Sequence, residues 1–115
     1  MLVCTAAVAK EYRSADEVSL PPVSQRQIIG TWFDKDTNCT RSFEEVTKKV
    51  YYVLRCSDGS GGNSGIELVR MGNKFRSKRG SSHGDYYLVE AGGKLGIYDD
   101  QGVIDTLPRH PSLRP

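Results

Sequence analysis

Cys39 and Cys56 are a pair whose residue type and spacing could do chemistry, either as a disulfide or as two reduced thiols, with the redox compartment deciding. Opposite each other on an antiparallel pair, their Cα atoms would stand about 4.5 to 5.5 Å apart, inside the range a disulfide accepts. A zinc site is disfavoured, because neither cysteine has a second Cys or a His at ligand spacing. A second chemistry-bearing run is basic: Arg70, Lys74, Arg76, Lys78 and Arg79 fall within ten residues that contain no acid. Ser81, Ser82 and His83 follow in a glycine-bounded loop. Such a run attracts an anion or an acidic protein surface, and the planar forks of Arg76 and Arg79 suit carboxylate or phosphate. It equally fits an edge hairpin whose Lys and Arg guard against sheet-to-sheet association.

Catalysis has little material. The histidines are His83, in a loop, and His110, near the C-terminus, and neither has a convincing nucleophile beside it in sequence. Glu44 and Glu45 are neighbours on an expected strand and so point to opposite faces, which prevents them from acting as a carboxylate pair. The polar stretch 57–65 has the composition of a phosphate or calcium loop but lacks the Lys-Ser/Thr ending of the one and the closing Glu of the other. It reads as a flexible interstrand loop, able to act as a lid over one end of the domain. Asn38-Cys39-Thr40 matches the N-glycosylation sequon. The chain is therefore expected to be no enzyme, with neither cofactor nor metal.

Twelve glycines and five prolines, interleaved with short β-branched and aromatic runs, point to an all-β protein. Turn residues divide it into eight short strands in an antiparallel meander, at 29–34, 39–46, 49–57, 66–71, 74–78, 85–91, 94–99 and 103–106. Each hairpin turn then fixes a register, because facing residues have numbers of constant sum. A turn at Thr47-Lys48 sets Phe43 against Tyr52, Arg41 against Leu54, and Cys39 against Cys56. A turn at Gly72-Asn73 sets Arg76 against Val69 and Arg70 against Phe75, which splits the cations between the two faces. A turn at Gly92-Gly93 sets Tyr87 against Tyr98 and Leu88 against Ile97. Val23, Ser24, Gln27 and Ile28 have the form of a capping box with a hydrophobic staple, enough for one helical turn.

A meander of this size manages its edges by closing into a small barrel or sandwich. Gly30-Thr31-Trp32, after a short helical turn, resembles the G-x-W opening of the calycin barrels, the lipocalins and avidins. That resemblance implies a Trp32 buried at one barrel end. It carries over no ligand.

Val23 to Leu107 reads as the single folded domain, with 1–22 a signal remnant or flexible leader and 108–115 a proline-rich tail. Ala7-Val8-Ala9 resembles the end of a secretory signal; a frayed terminus is the alternative. No apolar run is long enough for a transmembrane segment. Sixteen Lys and Arg against fourteen Asp and Glu give a net charge of +2, too balanced for an obligate nucleic-acid binder. Phe75 is also the only aromatic in the basic run, too few to stack bases. The expectation is a periplasmic or secreted, non-enzymatic binding protein for a small molecule or an anionic protein surface. Its expected contacts are Arg70, Lys74, Arg76, Lys78, Arg79, His83, Tyr87 and Tyr98. The alternative is a protein-binding module, such as an inhibitor or an envelope-assembly component.

Overall fold

The computed structural model describes residues 17–80 and 84–110; His83, expected at the binding surface, lies outside the described residues. Nine strands follow one another: β1 Glu17–Ser19, β2 Gln27–Asp34, β3 Cys39–Val46, β4 Lys49–Cys56, β5 Ser64–Met71, β6 Lys74–Ser77, β7 Tyr86–Val89, β8 Leu95–Asp99 and β9 Gly102–Leu107. From β2 to β9 each strand pairs antiparallel with the next, and β1 adds to the start of β5. The fold is thus an all-β antiparallel meander curled into a nearly closed barrel. Closure comes just after β9, where the Phe33 N–H donates to the Pro108 carbonyl (3.0 Å) and the His110 N–H to the Thr31 carbonyl (2.9 Å). Glu17–Ser19, on the expected leader, and Pro108 to His110, on the expected tail, therefore both bond to the sheet.

Two hairpins have the expected register. Thr47 and Lys48 adopt positive φ (48° and 72°), the conformation of a tight two-residue turn, and Phe43 faces Tyr52 while Cys39 faces Cys56. The two cysteines are joined in a disulfide, with Cα atoms 3.9 Å apart. Across Gly72-Asn73, Arg76 faces Val69 and Arg70 faces Phe75. The β7–β8 hairpin differs. Its loop holds three residues, Ala91 to Gly93, closed by Glu90 and Lys94 and completed by Gly93 at φ +88°. One extra loop residue moves the pairing by one, so Tyr86 rather than Tyr87 faces Tyr98, and Tyr87 faces Ile97.

The expected capping box is not formed. Val23–Gln25 is a single 3-10 turn without a side-chain cap, because Gln27 already belongs to β2 and cannot reach back. The stretch 57–65 is not a loose lid either. The Cys56 N–H donates to the Ser60 carbonyl (2.9 Å), Gly61 bridges Arg55, and a Cβ on Gly61 would lie 2.1 Å from the Leu54 carbonyl oxygen. Its glycines serve close approach to β4.

Inside the barrel Trp32, Phe43, Leu68, Phe75, Leu95 and Leu107 form the buried core, with Val50, Tyr52, Tyr87 and Ile97 packed against it. Outside, β3 and β4 are also covered. Glu44 lies fully buried there, taking hydrogen bonds from Arg26 (3.0 Å), from both Nη atoms of Arg55 and from Ser42. Arg26 further donates to the carbonyls of Pro21 (2.7 Å) and Gly62 (2.9 Å). One buried carboxylate thus pins the leader and the glycine loop against the same strands.

Candidate functional site

The aromatic side chains of the interior pack on one another at the centre of the barrel. The Phe43 ring has Trp32 at 5.0 Å, Phe75 at 4.8 Å and Tyr87 at 6.0 Å, and Tyr52 stacks on Tyr87 at 4.8 Å. Trp32 anchors this packing by donating its indole N–H to the Gly93 carbonyl at 2.7 Å. Below the rings, Arg41 ties Asp34 (2.9 Å) to the Tyr52 hydroxyl (2.5 Å). Burial would raise the Asp34 pKa, but the Asp36 N–H, Arg41 and Thr37 together hold it below the usual carboxylate value. Burial pushes both Tyr52 and Tyr87 upward, so the phenols stay protonated. This network orders the interior and offers no poised acid or base.

The outer face of β6–β8 is built differently. The corrected register sets Tyr86 beside Tyr98, and their rings stack in parallel, 5.1 Å apart at 8°. Lys74 lies over the Tyr86 ring at 4.7 Å, a cation–π contact, and the Tyr98 hydroxyl donates to the Glu90 carboxylate. Glu90 accepting that bond holds the Tyr98 hydroxyl above its ordinary pKa. Arg76, on the same face as Lys74, is exposed, and so are Val69 and Met71 on β5 beside it.

No family model matches the chain. No curated protein and no solved structure matches it either. The calycin resemblance thus stands on the G-x-W opening and on a nearly closed antiparallel barrel.

The expected binding residues therefore separate. Lys74, Arg76 and Tyr98 share the outer face. Arg70 sits at the barrel rim, over the Phe75 ring at 5.3 Å and donating to the Gly72 carbonyl. Lys78 leans toward Glu67 at 3.7 Å, and Arg79 lies in the turn that follows β6. Tyr87 belongs to the interior, because the three-residue loop reverses the facing of every side chain on β7. Sequence reasoning missed Tyr86, and the signal that would have found it is Ala91 read as a loop residue. Arg26, Glu44 and Arg55 were missed too, since residues so far apart in sequence leave no local pattern. Among the described residues no group of three or more His, Cys, Asp and Glu could hold a metal, and no helix is long and apolar enough to cross a membrane.

Proposed function

We propose that this barrel is a non-enzymatic binding module that engages an anionic protein surface through the outer face of β6–β8. The observation that carries the reading is the packed barrel centre: the rings of Trp32, Phe43, Tyr52, Phe75 and Tyr87 close on one another there, which favours recognition on the outer surface. On that outside, Tyr86 and Tyr98 supply rigid amphipathic area at small entropic cost, while Lys74 and Arg76 supply positive charge. Paired tyrosines with flanking cations suit a carboxylate-bearing surface, where Arg76 bonds both oxygens of one group and the phenols pack on neighbouring apolar atoms. The Cys39–Cys56 bond supports work in an oxidising compartment, the periplasm or the cell exterior.

Fluorescence anisotropy with a labelled poly-glutamate peptide that contains interspersed tyrosines tests this. Binding is expected, weakening as salt rises, with loss of about tenfold or more in Lys74→Glu/Arg76→Glu and a smaller loss in Tyr98→Ala. Binding unchanged in the charge-reversed variant, with the fold intact by circular dichroism, would overturn the reading.

A further inference from the structure

In an antiparallel meander alternate connections share an end, which sorts the charged residues of this chain by the end they occupy. The turns at 47–48, 72–73 and 91–93 lie together, with the start of β2 beside them. Lys48, Lys49, Lys74 and Lys94 are exposed at these turns, with Arg70 at the rim and Arg109 beside Gly93, against Glu45 and Glu90. The connections at the opposite end carry Asp36, Asp58, Asp85, Asp99 and Asp100 against Lys35, Lys78 and Arg79 among the described residues. The barrel is therefore polarised along its axis, although its net charge is only +2.

The basic end is also apolar at its centre. Ile28, Ile29, Met71 and Val89 are 40%, 42%, 50% and 38% exposed there. A concavity of about 540 Å³ opens at Ile29 and Val89, with Val50 and Phe75 completing its apolar wall and Lys48, Arg70, Glu45 and Asn73 around them. Three turn tips and a strand start thus frame one basic-rimmed apolar mouth.

We propose that this end docks on an anionic lipid bilayer, with the four apolar side chains at headgroup depth and the lysines over lipid phosphates. The mixture of cations and apolar groups is what an interfacial surface needs, because each supplies what the other lacks in binding a charged, oily boundary. The choice of cation favours lipid over a structured protein partner. Four of the six are lysines, compact charges on flexible stems that do not require fixed acceptors, while Arg70 is held by its own Gly72 carbonyl and Phe75 ring. The acidic opposite end is repelled by the same surface, so the axis of the barrel stands along the membrane normal. This surface meets the tyrosine face at Lys74 and Met71 and is otherwise distinct from it.

Co-sedimentation of the full chain with vesicles decides it. The chain is expected to pellet with phosphatidylcholine vesicles containing phosphatidylserine and to remain in solution with phosphatidylcholine alone or at high salt. Each lysine removed should weaken partition about fivefold, so Lys49→Gln/Lys94→Gln should lose about twenty-five-fold. Lys48→Asn is the third variant, since Asn tolerates the positive φ of that turn. Met71→Ser should weaken binding to the anionic vesicles at low salt while leaving its salt dependence as in the parent chain. Three results would overturn the proposal: no binding to anionic vesicles, equal binding to neutral ones, or anionic binding undiminished in the lysine variants. Concentration-dependent self-association abolished by the lysine substitutions, without vesicle binding, would instead assign this end to a second copy of the chain.

Discussion

Gly30 and Trp32 belong together for a steric reason: a Cβ on Gly30 would stand 2.8 Å from the Trp32 ring, so the glycine vacates the volume that the indole fills. Gly30→Ala should cost about 1–3 kcal/mol in chemical denaturation through overpacking. Trp32→Phe in the same chain should return part of that loss, because the smaller ring withdraws from the contact. Strict additivity of the two substitutions would show that the contact is not the cause. At this scale the sequence was most readable, for a Gly two residues before a buried Trp and two cysteines of matching register are local signals. Glu44 was less readable. Its isolation from Arg26 and Arg55 in sequence hid a buried ion triad, and it seemed only one of two carboxylates pointing opposite ways.

At the scale of elements, that triad fastens the leader and the glycine loop to the barrel wall. Burial alone would raise the pKa of Glu44, but the hydrogen bonds from Arg55, Ser42 and Arg26 and the charge of Arg55 lower it below the ordinary glutamate value. A carboxyl whose folded pKa is depressed contributes stability that is fully present above its unfolded pKa, about 4.3, and is lost as pH falls through the folded one. Urea midpoints should therefore drop in acid, and Glu44→Gln should remove that part of the dependence while costing about 3–5 kcal/mol at neutral pH, since it leaves two arginines uncompensated. The same variant should expose residues 17–26 to proteolysis. Hairpins explain why some elements were legible and one was not. Thr47-Lys48 and Gly72-Asn73 are two-residue turns, so constant sums hold; Gly92-Gly93 has the look of one, but Ala91 joins the loop and every β7 side chain changes face. The leader strand lacked any signal of its own, because Glu17–Ser19 is too short for a periodic pattern and takes its conformation from β5.

For the whole molecule, the Cys39–Cys56 bond cross-links β3 to β4 near the acidic end of the barrel. Closing a loop of 17 residues contributes on the order of 3 kcal/mol by restricting the unfolded chain. Cys39→Ser/Cys56→Ser should lower stability by about that amount, whereas intact mass of the native protein after alkylation without reductant should show neither cysteine modified. Alkylation at both positions would remove the structural support for an oxidising compartment. Fold class was readable at this scale because turn residues recur between short β-branched runs. Where the barrel closes was not, since prolines at 108 and 111 argue against a strand and the closing segment needs only one carbonyl and one amide to meet β2.

That closure has a consequence for how the chain folds. Phe33 and Thr31 find their partners in Pro108 and His110, so the first long strand stays unpaired on that edge until residues 108–110 reach it. Until then the sheet is an open curl with both edges bare, able to pair with its neighbours. The contact joins residues almost eighty positions apart, and such contacts form late because loop entropy must be overcome first. Hairpins can assemble locally, but the barrel becomes one cooperative body only once residues 108–110 meet β2.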